Sequence, residues 1–346
     1  MRYLLAASVL VLSPFVAEFL AFGTADQLVL IVFLAPMYGC GALLVREAAR
    51  RTAAPWRTVA LLATAYGIVE AGLIDMSLFN PSYEGTDDFT RPARLPVLET
   101  SAFTLLAFVG GHVVWSIAVP VALAEGLAPA RLRHRPWLGR PGLAGCGLLY
   151  LGGAALIHGD VAAGFAPSAP QAGFAAGVAV ACVAVAWTLR QRPAADAVVA
   201  LAAVGGGDFG GDADRGGRPV AAWRPGLAAF VVTATWCLLP ASWPGVAAQV
   251  AVIGLTAGLL ARAARRMRWT DAHTLAVASG AVVTYLGVAY VYPVADYPGD
   301  HANPAMERLS EVLFTLACAA LVACGALRLR AERRRAAPVR VSGGLP

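Results

Sequence analysis

The sequence contains no lysine: all 27 of its basic residues are arginine, a bias that reflects genomic composition and carries no mechanism. Charge of either sign is scarce. Only 14% of the 346 residues are charged, against about 25% in a typical soluble domain, and mean hydropathy is +0.65. That excludes a soluble globule, because too few charged side chains exist to cover its surface. Strict polar/apolar alternation is also missing, which excludes a membrane β-barrel. The six cysteines form no Cys-x-x-Cys pair and show no metal-ligand spacing, so they read as small buried apolar residues and predict no disulfide. An Asp-Phe-Gly at 208–210 has no glycine-rich or catalytic loop beside it, which removes a kinase reading.

What the sequence does contain is apolar runs of about 20 residues, each closed by Arg, Pro or an acidic cluster. Lipid-exposed backbone must satisfy its own hydrogen bonds, so such runs predict transmembrane helices. The expected fold is all-α, a polytopic transmembrane helical bundle of about ten spans: 3–22, 27–46, 57–77, 101–123, 142–158, 172–189, 226–241, 245–262, 272–292 and 309–327. Glu18 in the first run, and the spans that follow, predict a retained helix and not a cleaved signal peptide. With this register, 24 of the 27 arginines fall on one side, and Arg91, Arg94 and Arg308 on the other. The positive-inside rule then predicts both termini in the cytoplasm of a bacterial cell membrane. Glu84, Asp87, Asp88, Glu99, Asp160, Asp296, Asp300 and Glu307 fall on the external side. The net charge of +6 is thus topological and gives no support to nucleic-acid binding. The expected partner is the lipid bilayer, with room for a hydrophobic or membrane-delivered small ligand. No cofactor is read from the sequence.

Residues 190–225 carry an Ala/Val segment followed by GGGDFGGDADRGGRP, a composition that predicts a flexible cytoplasmic linker. Asp208, Asp212 and Asp214 miss the spacing and closing Glu of an EF-hand. The linker separates spans 1–6 (1–189) from spans 7–10 (226–327), and 328–346 form a basic cytoplasmic tail. Intramembrane ionisable residues concentrate in the first four spans. No internal repeat is evident.

An ionised carboxylate at membrane depth costs about 2.5–3.5 kcal/mol on insertion scales, so such residues face a partner, a bundle interior or a cavity. At 1.5 Å per residue, Glu18 lies about 6 Å, Glu70 about 10 Å and His112 about 16 Å below the external surface. Glu70 and His112 are expected to face each other as an acid/base pair, with Glu18 nearby. In FVGGHVVWSIAVP, from Phe108 to Pro120, steps of four put Ser116 on the His112 face, and Trp115 borders it. Gly110 and Gly111 clear space beside the imidazole. Asn80, with Pro81, closes span 3 and is carried with Trp115 and Ser116 as a candidate substrate contact. Asp75, about 140° round the helix from Glu70, reads as a boundary residue. Arg46 reads as a topological anchor with Glu47 and Glu125 as its ion-pair partners. The loop residues His158 with Asp160, and His301 with Asn303, read as solvated.

EAGLID at 70–75 followed by FVGGH at 108–112 resembles the first two motifs of the CAAX-protease and bacteriocin-processing family. Those motifs are a double Glu with a downstream Arg, then Phe-x-x-x-His, on membrane helices. The resemblance implies a membrane-embedded site in which Glu70 and His112 activate water, with Phe108 the motif Phe. The sequence departs from the family at Ala71 in place of the second Glu, at Asp75 in place of the Arg, and in lacking a later His-x-x-x-Asn. SPFVAEF, GALLVREAARR, FNPSY and HVVWSIAVP also resemble uncharacterised polytopic membrane proteins of actinobacteria. The functions that follow are a membrane-embedded acid/base enzyme on a lipid, isoprenoid or peptide. The alternatives are a proton- or cation-coupled transporter and a structural membrane partner.

Overall fold

The structure is a computed structural model that describes residues 1–85, 87–190, 220–292 and 303–336. Among them, nine helices are long and apolar enough to cross a membrane. They are α1 (Arg2–Phe22), α2 (Ala25–Arg51), α3 (Trp56–Ile74), α4 (Ala102–Leu127), α5 (Arg140–Val161), α6 (Ala169–Leu189) and, after a shorter α7 (Trp223–Cys237), α8 (Trp243–Arg266), α9 (Asp271–Val291) and α10 (Pro304–Arg335). The one extended pairing among the described residues is the two-residue hairpin of β1 (Arg94–Leu95) with β2 (Thr100–Ser101).

The seventh expected span differs from the rest. Its 15 residues cover about 22 Å, short of the ~30 Å hydrocarbon core. Pro240 ends it early, because the residue before a proline is pushed out of the helical region. The third span also ends sooner than expected. Asp75 accepts hydrogen bonds from the Ser77 amide (2.9 Å) and hydroxyl (2.8 Å), and Met76 turns the chain with φ 59°, so the helix stops at Ile74. Residues 191–219 of the expected linker lie outside the described residues. The basic tail expected from Arg328 is helical as far as Arg335.

The core runs through α1, α2, α4, α9 and α10. α3 and α6 form a second apolar layer beside it, and α7 packs along α9. Close approach between helices follows small residues. A Cβ on Gly280 of α9 would collide with the backbone of α7 at Gly226, and one on Gly39 of α2 would collide with Leu10 O of α1. Pro14, four residues after Leu10, lacks the N–H that this carbonyl would otherwise accept from, and the bare Cα of Gly39 fills that place.

The helix ends rich in arginine are joined by ions buried between them. Arg46 and Glu47 are fully buried and 2.8 Å apart. Arg46 Nε lies 3.0 Å from Glu125 Oε1, and Arg50 grips Glu125 with two hydrogen bonds of 2.7 Å. Glu47 accepts the backbone N–H groups of Trp137 (2.7 Å) and Leu138 (3.2 Å). The Arg46 guanidinium stacks 3.2 Å from the Trp137 ring centroid. Arg133 extends the network to Asp271 (2.9 Å) and Glu332 (2.8 Å), tying α9 and the end of α10 to α2 and α4.

Removing one partner of a buried pair strands the other, at about 3–5 kcal/mol. Glu125→Ala leaves Arg46 and Arg50 short of their carboxylate and is expected to destabilise by that amount. Arg94→Ala, which cuts an exposed 3.4 Å pair with Asp88, is expected to cost under about 1 kcal/mol. Thermal unfolding of the detergent-purified chain measures both, and equal midpoints would refute the role given to the buried network.

Candidate functional site

Each of the first four helices contains one π-helical turn: Phe15–Phe19 in α1, Ala35–Gly39 in α2, Glu70–Ile74 in α3 and His112–Ala118 in α4. Such turns carry one residue more than an α-turn and are frequent at functional sites. Proline explains three of them. Pro14 precedes the first, Pro36 lies within the second and Pro120 follows the fourth, and each removes one rung of the i→i−4 ladder. The turn that Glu70 opens has no proline. Together the four turns bear Glu18, Tyr38, Glu70, His112 and Ser116.

Four of these side chains form a continuous chain. Tyr38 donates its hydroxyl to Glu70 Oε1 at 3.1 Å. Glu70 Oε2 lies 2.7 Å from His112 Nε2, and His112 Nδ1 lies 3.0 Å from Ser116 Oγ. With an N–H at Nε2 facing the carboxylate, neutral His112 accepts the Ser116 hydroxyl proton at Nδ1. Imidazolium donates at both nitrogens. The chain is deeply buried, Glu70 being 1% and His112 8% exposed.

The surroundings fix this geometry. A Cβ on Gly67 would sit 2.9 Å from His112 Cβ, so a glycine there lets α3 and α4 meet at the imidazole. Ser13 of α1 shares its hydroxyl proton between Tyr38 O (3.0 Å) and Ser116 O (2.6 Å), binding the ends of the chain to a third helix. The Tyr38 and Tyr66 rings flank the imidazole, with centroids 5.9 Å and 5.8 Å away. Tyr150 of α5 packs on Tyr66 at 6.3 Å. The Tyr66 hydroxyl is buried and has no hydrogen-bond partner among the described residues. An unmet buried donor costs about 1–3 kcal/mol.

The loop between α3 and α4 covers the site. Tyr83 and Phe89 pack against Phe108 with centroids 6.0 Å and 5.6 Å away, one turn before His112. Tyr83 also donates to Asp75 at 3.3 Å. Because α4 runs up along this loop, its first turns stand above the end of α3. Glu70 and His112 therefore share one level, and the depth offset of about 6 Å expected from residue counting disappears.

The other expected site residues divide. Glu18 is half-buried and within electrostatic reach of both Tyr38 and His112. Trp115 turns away: it donates to Ala281 O at 3.1 Å and stacks on Tyr285 at 3.9 Å, docking α4 on α9. Asn80 sits in the turn after α3, where its Oδ1 accepts from the Ser82 amide at 3.0 Å, and serves that turn. Gly110 is filled by Trp236 of α7, while Gly111 has open space. His158 Nδ1 donates to Leu73 O at 3.0 Å. Asn303 caps the start of α10, its Oδ1 accepting from the Ala305 amide at 2.9 Å, and His301 lies outside the described residues. All six cysteines are free thiols. Among the described residues no group of three His, Cys, Asp or Glu is placed to hold a metal.

Tyr38, Tyr66 and Ser13 were not singled out in the sequence. Polar-tipped aromatics inside apolar runs were the available signal. Comparison with protein-family models, with curated proteins and with solved structures finds no match to this chain.

His112→Ala removes the partner of a buried carboxylate and is expected to lower stability by about 3–5 kcal/mol. Glu70→Gln combined with His112→Ala should recover more than half of that loss, since the charge left unmatched is gone. Unfolding midpoints of the wild type, of Glu70→Gln and His112→Ala singly, and of the double variant decide it, and additive losses would show that the two side chains act separately.

Proposed function

We propose that this chain is a multi-pass protein of a bacterial cell membrane, with both termini cytoplasmic, in which Glu70 and His112 perform acid/base chemistry on a membrane-delivered lipid, isoprenoid or peptide. The observation that carries the reading is the buried chain Tyr38–Glu70–His112–Ser116 with the unpartnered Tyr66 hydroxyl beside it. A carboxylate in contact with an imidazole can take a proton and return it at the same place. Tyr66 supplies a donor for an oxygen of the bound ligand, a group otherwise costly to bury unpaired. Glu18, on the neighbouring π-turn, adds a further half-buried carboxyl to this end of the bundle.

Orientation is supported by the arginines, 24 of 27 of which fall on the side assigned to the cytoplasm. The resemblance to the CAAX-protease family is consistent with the Glu70–His112 contact. Ala71 and Asp75 nevertheless leave the pair without the second Glu and the Arg of that motif, which weighs against peptide cleavage by the family's own chemistry.

A second reading, proton- or cation-coupled transport, is favoured by enclosure. Glu70 and His112 are buried, with Tyr38 and Tyr66 flanking the imidazole and Tyr83 and Phe89 packed on α4 one turn away, as in an occluded transport intermediate. Intramembrane Glu/His chains serve as proton relays in such proteins.

The test uses full-length protein in nanodiscs formed from a bacterial lipid extract, followed by mass spectrometry of the lipids over time. The expected result is conversion of a lipid species that slows by about 10²–10⁴-fold in Glu70→Gln and in His112→Gln, the usual contribution of a general acid or base. No conversion by the wild type, together with Glu70-dependent proton uptake into proteoliposomes under a pH gradient, would establish transport in its place.

A further inference from the structure

On helices that do not carry the Glu70–His112 pair, a cavity of about 730 Å³ opens between α7, α9 and α10, a volume within the ~300–1,000 Å³ typical of ligand sites. Its walls are hydrocarbon: Leu227 and Phe230 of α7, Leu275 and Val283 of α9, and Val322 of α10. Ser279 lies among them, but its hydroxyl is already spent on Leu275 O at 2.8 Å. The walls thus offer almost nothing to hydrogen-bond. Along α9 the lining runs from Ala272 to Val283, which at 1.5 Å per residue is about 16 Å, close to the thickness of one leaflet's hydrocarbon.

One end of this groove differs from the rest. There Arg330 and Arg333 form the rim, with Trp223 facing them from α7. Both arginines are exposed, and among the described residues no carboxylate lies within ion-pair distance of either. Arg333 reaches only the Thr270 hydroxyl, at 2.6 Å. Arg46 and Arg50, by contrast, are held by the buried Glu125, and Arg133 by the half-buried Asp271 and Glu332. Trp223 is 63% exposed, as is usual for an indole at the level of lipid headgroups.

We infer that this groove is a binding site for an anionic phospholipid, with one acyl chain between α7, α9 and α10 and its phosphate on Arg330 and Arg333. Charge complementarity selects the occupant. The apolar depth takes hydrocarbon and rejects polar ligands, and two unneutralised guanidiniums at the mouth take a phosphate in bidentate fashion. Basic pockets between membrane helices on the cytoplasmic side recognise lipid headgroups in this way. The inference rests on the membrane reading and on the arginine-rich side being cytoplasmic. It is independent of the chemistry assigned to Glu70 and His112, so either can fail alone.

The experiment is native mass spectrometry of the full-length chain released from detergent after incubation with phosphatidylglycerol or with phosphatidylcholine of the same chains. The wild type is expected to retain phosphatidylglycerol preferentially. Arg330→Ala with Arg333→Ala should lower that retention on the order of tenfold, given the worth of each basic residue near an anionic headgroup, and leave phosphatidylcholine unchanged. Val283→Trp narrows the groove at a half-exposed position without touching either arginine, and should also lower phosphatidylglycerol retention. Unchanged unfolding midpoints would show that both proteins are folded. Equal retention of the two lipids by the wild type would overturn the proposal. So would retention unaltered in both variants, a dimer that Val283→Trp disperses, or cross-links placing residues 191–219 in the groove.

Discussion

A carboxylate taken out of water must be given donors, and most of the polar architecture of this chain follows from that constraint. Five glutamates are buried among the described residues, and three of them, Glu47, Glu70 and Glu125, are each answered by several donors. Glu47 receives Arg46 and two backbone amides. Glu125 receives Arg46 and two bonds from Arg50. Glu70 receives Tyr38 and His112. Arg46 is the neighbour of Glu47 on α2, but the Trp137 and Leu138 amides and all the donors to Glu70 and Glu125 come from elements distant in sequence, so satisfying these carboxylates fixes how the elements are arranged. Small residues then let the backbones approach to the required distance, at Gly39 against Leu10 and at Gly67 against His112.

The three sites satisfy their carboxylates by different chemistry, and the difference separates structure from function. Glu47 and Glu125 are met by guanidiniums, which hold their protons at any physiological pH and form rigid forks. Such pairs keep helices together and transfer nothing. Glu70 is met by an imidazole and a phenol, groups that can give up or accept a proton within reach of ordinary conditions or of a reacting ligand. The same demand for donors therefore produces a clamp at the arginine-rich end and, beside the 75–101 loop, a pair of groups able to exchange a proton, on which the proposed function rests. The rim of the α7–α9–α10 groove is a third case, where Arg330 and Arg333 carry positive charge that no carboxylate of the described residues meets.

Sequence patterns revealed the parts of this arrangement that are costly in lipid. Glu70, His112, Arg46, Glu47 and Glu125 stand out because ionisable residues in apolar runs must find partners, and Ser116 followed from its four-residue spacing to His112 on one helix. Tyr38, Tyr66 and Ser13 are ordinary residues for a membrane helix, and only the crossing of α1, α2 and α3 brings them to the pair. Trp115 was assigned to the His112 face by its spacing. The wide turn over His112–Ala118 shifts the phase of the helix, and the indole ends on Tyr285. Apolar runs marked where nine long helices lie, while the shortening of α7 depended on Pro240, a single residue that a window of hydrophobicity averages away.

The two ends of the bundle also differ in how far they can move. At the arginine-rich end, parting α2 from α4 would break Arg46 and Arg50 from Glu125 at once, leaving ions in an apolar interior. At the loop end, α1 to α4 are held by the buried Glu70–His112 contact, by hydrogen bonds from Tyr38 and Ser13, and, nearer the loop, by the aromatic contact of Phe108 with Tyr83 and Phe89. Their π-turns already carry a residue beyond α-helical register, and shifting such a turn along its helix repositions side chains without unwinding the whole. On the function proposed above, a movement that admits a ligand to Glu70 and Tyr66 would start among the loop-side aromatic contacts and not at the ion-paired end. Enclosure of the pair and the proposed chemistry at the pair are thereby compatible, because the aromatic contacts beside the site are weaker than the ion pairs that hold the opposite end.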